Sequence, residues 1–292
     1  MAARFFVLAS GSAGNCAFLR VDGFGLLIDI GLGPRLIASR LAAIGATWKS
    51  VNAVLLTHTH TDHWKDLTLN TLRQEKIPLY CHPQHHTVLA RYGGYFDPLF
   101  AAGLVRPFIA GEALALPGGV TGRPIRVPHD SDPTFAFRLD GPPGLFGHPW
   151  SVGYAADLGA AWPDLLDAFA GVNVLALEFN HDEAMERESG RPKHLIDRVF
   201  SDLGHLSNQQ AADAVRGIVD RSAQGALRHL IQLHLSRDCN RPNLAREAGR
   251  AILADMGSGA AVTTAQQDSV TNGIDLDGEC LRRKPVALGT PH

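Results

Sequence analysis

The chain has 292 residues, with 27 Lys and Arg against 29 Asp and Glu, a formal net charge of −2, 45% hydrophobic and 19% charged residues. This suffices for one large domain or two modest ones around a sizeable core, in the composition range of globular enzymes. The near-neutral balance excludes a global basic field for holding nucleic acid and leaves room only for a local patch.

Short apolar runs bounded by Gly and Pro predict strands, and apolar residues at helical spacing predict helices. In chain order the reading is strands at 5–8, 17–21 and 25–29, a helix at 34–44, a strand at 53–56 and helices at 64–74 and 85–92. Strands follow at 125–128, 135–139 and 152–155, then a helix at 162–170, a strand at 172–177, a helix at 207–222, a strand at 230–233 and a helix at 243–256. Gly23, Gly31, Gly118, Gly119, Pro142 and Pro143 punctuate these runs. In the helix at 207–222, Ser207 is placed to cap the N-terminus, with Ala211, Ala212, Val215, Ile218 and Val219 forming an apolar face. The first apolar stretch, residues 5–9, is shorter than a signal-peptide core and reads as a strand. No stretch is long and apolar enough to cross a bilayer. Strand-rich halves with interspersed helices predict an α/β fold of two packed sheets covered by helices.

From Gly257 the periodicity fails, and residues 257–292 are expected to be a poorly ordered tail behind one domain over residues 1–256. Cys16, Cys81, Cys239 and Cys280 show no Cys-x-x-Cys spacing, so they form neither a zinc ribbon nor a disulfide framework. A cytoplasmic enzyme is the expectation, with no role for Cys280.

Residues 58–63 read His-Thr-His-Thr-Asp-His, directly after the apolar Val54, Leu55 and Leu56. Three imidazoles and a carboxylate at one strand end call for a cation, the alternative being a solvated polar turn. Imidazole with carboxylate suits zinc, manganese or iron, and adjacent positions can face two ions across a turn. The rest of the shell must come from elsewhere. His129, Asp157 and His234 each follow an apolar run, where a sheet would deliver them to a common edge.

The block resembles the signature of metallo-β-lactamase-fold hydrolases, and the order of the later candidates matches that superfamily over roughly residues 4–256. Shorter motifs are similar to the YycJ/WalJ-like subgroup: Ser10-Gly-Ser-Ala-Gly-Asn-Cys16, Pro128-His-Asp130, Tyr154-Ala-Ala-Asp157, Glu178-Phe-Asn-His-Asp182, Gly204-His-Leu-Ser-Asn208 and Leu233-His-Leu-Ser-Arg-Asp-Cys-Asn240. The resemblance implies an αββα sandwich, two mixed β-sheets flanked by helices. It also implies one divalent ion on His58, His60 and His129, a second on Asp62, His63 and His234, and Asp157 bridging them. Asp29 would orient these ligands, the alternative being a plain strand-end turn with Gly31. Two such ions acidify a bridging water to hydroxide near neutral pH and neutralise developing charge, with Asp62 or Asp157 orienting that hydroxide.

Gly204-His205-Leu-Ser-Asn208 runs into the N-terminus of the helix at 207–222, a place that favours phosphate. The stretch resembles the Gly-His-Ser-Thr loop of ribonuclease Z, and Glu178 resembles the carboxylate that partners its histidine. His205 would clamp a phosphoryl oxygen or protonate a leaving alkoxide, and Glu178 would raise its pKa. The alternatives are a capping or core histidine and a structural ion pair. Ser12, Asn15 and Asn208 are candidate substrate contacts, against a plain hairpin for the early loop.

Basic residues gather at Arg187, Arg191, Lys193 and Arg198 and again between Arg228 and Arg250, as a nucleic-acid track or as solvated faces. His82, His85 and His86 read as helix-start residues rather than ligands. The leading expectation is a dinuclear metal phosphodiesterase, which the subgroup resemblance refines to a 5′→3′ exonuclease on DNA. The competing expectations are a small-molecule hydrolase cleaving a thioester, lactone, β-lactam or cyclic phosphodiester, and a di-iron redox scaffold.

Overall fold

A computed structural model of the chain describes residues 3–131, 133–142 and 149–277. Pro143 and Cys280 lie outside them. Strands β1 (Ala3–Ala9), β2 (Cys16–Val21), β3 (Phe24–Ile28), β4 (Ala53–Leu55), β5 (Leu79–Cys81) and β6 (Val105–Pro107) lie side by side in that order in the first sheet. Strands β7 (Leu114–Ala115), β8 (Thr121–Val127), β9 (Thr134–Gly141), β10 (Trp150–Ala155), β11 (Val174–Glu178), β12 (His229–Leu233) and β13 (Ala261–Thr264) do the same in the second. β14 (Ile274–Asp275) returns to pair with β1, so each sheet has seven strands among the described residues. Both sheets are mixed: β3 to β6 and β10 to β13 are parallel, and the remaining pairings antiparallel.

Period-2 side-chain alternation explains how the layers stack. Phe5, Val7, Leu19, Leu26 and Ile28 face the second sheet and meet Phe137, Val152, Tyr154 and Leu233 in a shared core. Their neighbours Phe6, Leu8, Phe18 and Leu27 point outward, onto Ile37 and Leu41 of α1 (Pro34–Ala43) and Leu69 and Leu72 of α2 (Asp66–Glu75). These strands are therefore buried on both faces and read as unbroken apolar runs. The same side of the molecule carries α3 (His85–Tyr92) and α4 (Phe96–Ala101). Next in the chain come α5 (Pro163–Ala168), α6 (Glu183–Arg187), α7 (Lys193–Phe200), α8 (Asn208–Asp220) and α9 (Pro242–Asp255). Of these, α5, α8 and α9 cover the outer face of the second sheet through Leu165, Ala211, Val215, Ile218 and Ile252 against Leu175, Leu177 and Leu230. The result is the expected αββα sandwich. Among the described residues no helix is long and apolar enough to cross a membrane.

Differences from the sequence reading fall at short or half-exposed elements. β5, β6, β7, α4, α6 and α7 were not expected, most being too short to show a period. The expected loss of order from Gly257 is corrected for residues 257–277. There β13 extends the second sheet beside β12, and β14 pairs Ile274 with Phe5.

Candidate metal centre

All the expected ligands lie at or just beyond the C-terminal ends of strands. Residues 58–63 follow β4, His129 follows β8, Asp157 follows β10 and His234 follows β12. Because β3 and β4 run parallel, as do β10, β11 and β12, these ends gather along one edge of the sandwich, the usual place for a site in an open sheet. Gly31 lets the loops close up, since a Cβ there would sit 1.7 Å from the Asp62 carbonyl oxygen. Around it, Asn15 N–H donates to Asp62 O at 2.7 Å and Ile30 N–H to His63 O at 2.9 Å. Asp29 and His234 have left-handed backbone, φ 62° and 53°, strain that the packed surroundings of a functional site can hold.

Among the described residues the side chains converge into three four-residue donor sets, two made of the expected ligands and a third of Asp157, Glu178, His205 and His234. His58, His60, His129 and Asp157 offer ligand atoms within 4.8 Å of one another, and so do Asp62, His63, Asp157 and His234. Asp157 belongs to all three. Its Oδ2 lies 3.5 Å from His58 Nε2, 3.2 Å from His63 Nε2 and 3.6 Å from His129 Nε2, while Oδ1 lies 3.1 Å from His234 Nδ1. His58 Nε2 is buried without a hydrogen-bond partner, an orphan that a cation would satisfy. Imidazole and carboxylate donors at this spacing fit divalent zinc, manganese or iron.

Buried polar groups hold the donors in place. Asp29 Oδ2 is 2.8 Å from His63 Nδ1, and its carboxylate accepts from Thr57 N–H at 2.9 Å and Thr57 Oγ1 at 3.0 Å. Thr57 Oγ1 in turn lies 2.9 Å from His58 Nδ1, so one acid steadies both sets of expected ligands. On the outer side Asp130 Oδ1 lies 3.3 Å from His60 Nε2, and Arg198 pairs with the other Asp130 oxygen. Ser10 Oγ accepts from His234 N–H at 2.8 Å, and Asn180 Nδ2 donates to His234 O at 2.8 Å. Sequence reading gives no individual role to Thr57, Asp130 or Asn180, and places Arg198 only within a basic run. The signal for Asp130 is its place directly after His129, at the end of the Pro128-His-Asp130 motif.

Charge is distributed unevenly. Burial drives His58 well below the ordinary imidazole range, and burial also lowers His60 and His129. His63 goes the other way: burial would lower it, but Asp157, Asp29 and Asp62 outweigh that and raise it well above. His234 is raised to about 10, Asp157, Asp62 and Glu178 outweighing burial. Burial would raise Asp157, yet His234 and His63 hold it well below the carboxylate range. In Asp29 burial wins and the carboxyl is raised, with His63 only partly countering it.

Beside the shared carboxylate, Glu178 at the end of β11 is fully buried, and its Oε1 lies 2.7 Å from His205 Nδ1 and 3.1 Å from His234 Nδ1. Its Oε2 accepts from Leu158 and Leu206 N–H. Burial would lower His205, but Glu178 outweighs it and raises its pKa. Ser207 does cap α8, in a capping box with Gln210. A phosphate is the expectation at this helix N-terminus, where several donors already have protein partners. Asn208 N–H donates to His181 O, Gln210 N–H to Ser207 Oγ and Ser207 N–H to Gln210 Oε1, so these donors are spent. Asn208 and Asn240 bond to each other below the surface. Asn15 is likewise turned inward, its Nδ2 lying 2.9 Å from His63 Nε2 and 3.3 Å from Asp62 Oδ2.

Ser12 lines a cavity of about 450 Å³ together with His60, Asp62, Asp157, His205 and His234. The first basic run is neutralised in place, and of the second Arg237 is paired. Arg187 pairs with Glu183, Arg191 with Glu186 and Asp238, Lys193 with Asp197, and Arg237 with Asp268. Only Arg198 of these lines the cavity. His85 starts α3 and its Nε2 is 2.8 Å from Pro133 O, away from the donor sets.

Residues 26–224 match the family model described as the beta-lactamase superfamily domain. The exodeoxyribonuclease YycJ of Bacillus anthracis is 27% identical over 263 residues, covering 89% of this chain and 92% of the relative. The exodeoxyribonuclease WalJ of Streptococcus pneumoniae is 29% identical over 234 residues, covering 78% of this chain and 81% of the relative. Among solved structures, the metallo-beta-lactamase fold protein YhfI from Bacillus subtilis has a TM-score of 0.65 at 16% identity, covering 93% of this chain and 99% of that one. Zn(2+)-bound PqqB from Methylobacterium extorquens has a TM-score of 0.64 at 17% identity, covering 92% and 99%. At such identities these two speak for the fold alone.

Proposed function

The chain belongs to the beta-lactamase superfamily, and we propose that this metal-dependent hydrolase is a dinuclear phosphodiesterase that removes nucleotides from DNA in the 5′→3′ direction. The observation that carries the reading is the Glu178–His205 pair, 2.7 Å apart, in contact with His234 and opening on the same cavity as the donor sets. A phosphodiester needs a proton delivered to its leaving oxygen. Nδ1 of His205 is held by Glu178, which leaves Nε2–H as the donor, and Glu178 outweighs burial to raise the pKa, favouring the protonated form. The names of the YycJ and WalJ relatives favour DNA as the substrate class.

In this reading His58, His60, His129 and Asp157 hold one divalent ion, and Asp62, His63, Asp157 and His234 hold the other. Zinc and manganese suit the donors, with iron a third candidate. When bound, such ions supply acidification of water and neutralisation of charge on the phosphate. Asp62, which lines the cavity, accepts the hydrogen bond that orients the attacking water. Asp29 and Thr57 keep His63 and His58 in position. The three described cysteines are buried and unpaired, in keeping with a cytoplasmic setting.

The test is a hydrolysis panel with manganese or zinc on 5′-labelled DNA, RNA, bis-p-nitrophenyl phosphate and a thioester. DNA shortened from its 5′ end, with His205→Ala slower by roughly 10²–10⁴-fold, is the expected result. Metal-dependent thioester cleavage with DNA left intact would replace the reading by that of a small-molecule hydrolase.

A further inference from the structure

We propose that Tyr92 is a stacking platform for the terminal nucleobase of the strand, and that it forms with Arg198 a clamp for one nucleotide; this rests on the phosphodiesterase reading. Tyr92 ends α3, far in sequence from every donor, yet it lines the same cavity as His60, Asp62, Asp157 and His205. It is 64% exposed, and the other strongly exposed aromatics, Phe100 and Trp162, do not line this cavity. An isolated exposed aromatic is unremarkable on a protein surface. This one stands in the wall of the cavity where the reacting phosphate must sit. The Arg91 guanidinium lies over its ring, 5.2 Å from the centroid, and steadies it. Val88, one turn earlier on α3, adds an apolar patch beside it.

Arg198 supplies the second element. Its Nε pairs with Asp130, which lies 3.3 Å from His60 Nε2, so the guanidinium is fixed relative to the donor set. A cavity of about 450 Å³ carrying a planar ring, a guanidinium and an imidazole has the chemistry of a nucleotide, base on one element and phosphate on the others. It also lies within the usual size range of small-ligand sites. Stacking tolerates every base, which suits an enzyme that must take successive nucleotides regardless of sequence.

The test compares single-stranded oligonucleotides that differ only in whether the 5′-terminal nucleotide carries a base or is abasic. For the wild-type protein, loss of the base is expected to cost about 5- to 150-fold in kcat/KM. In Tyr92→Ala that penalty disappears because the platform is gone, while Tyr92→Phe keeps it. Arg198→Gln raises KM for both strands and leaves the penalty in place. A wild-type protein that cuts both strands equally, or a Tyr92→Ala protein that keeps the penalty, overturns the clamp alone. If the wild-type protein leaves both strands intact, the phosphodiesterase reading falls and the clamp with it.

Discussion

On one side of Asp157 stand His58, His60 and His129; on the other stand His63 and His234. They are the same side chain in different fields. The first three face one another, and burial, reinforced by their neighbouring imidazoles, outweighs Asp157 and Asp130 and lowers all of them. The other two sit among Asp29, Asp62, Asp157 and Glu178, whose fields raise both. A ligand to a divalent ion must be unprotonated. The first set is therefore ready to bind as folded, whereas the second stores protons that a cation must displace. Similar geometry thus serves two different preparations, and the shared carboxylate joins them.

Removing that carboxylate should have the largest effect. Asp157→Ala takes a donor from both sets and strips the buried His63 and His234 of part of their counter-charge. Turnover on DNA should fall on the order of a thousandfold or more, given the several kcal/mol such ions supply. Metal content measured after desalting should fall below that of the wild type at both positions. Retention of two ions per chain would contradict the shared role. Next in size come substitutions that distinguish the sets. Asp29 holds His63 directly and reaches His58 only through Thr57, while Asp130 faces His60, so Asp29→Asn should weaken the second ion more than the first and Asp130→Asn the first. Each should lose about 10–100-fold in metal affinity. Competition with a chelator reads the two steps separately, and identical profiles for the two variants would mean that neither acid is specific to a set.

How much of this was legible in the sequence depends on how each residue reaches the site. Residues 58–63 all come from one loop, so their crowding is visible without a fold. His129, Asp157 and His234 arrive singly, yet each stands just beyond an apolar strand, and parallel strands carry such positions to a common edge. Arg198, by contrast, looks like one charge among several on α7. It is set apart only by an ion pair with Asp130, 68 residues earlier, that no local pattern encodes. Tyr92 likewise reads as a helix-end aromatic. Asn15 and Asn208 were legible as polar residues in glycine-containing loops, but burial turned both toward protein partners. β13 was missed because its residues, Ala261-Val-Thr-Thr, are half-exposed at a sheet edge and carry little apolar signal.

The smallest effect should be the most direct measure of the proton store. With the second set metal-free, His234 has a folded pKa near 10 against 6.5 in the unfolded chain, and His63 is raised in the same sense. Above pH 6.5 the unfolded chain has given up protons that the folded chain still holds. The stability they contribute is complete below that pH and is lost as pH rises through the folded value. Metal-free protein should therefore lose thermal stability between pH 6.5 and about 10, by on the order of a few degrees in Tm. Bound cations displace the same protons, so the loaded protein should show a flatter profile. His234→Gln should flatten the metal-free profile as well, because it removes one of the two stores without adding a titrating group. Parallel slopes in the metal-free and loaded proteins would place the titrating groups outside the site and erase the difference between the two halves.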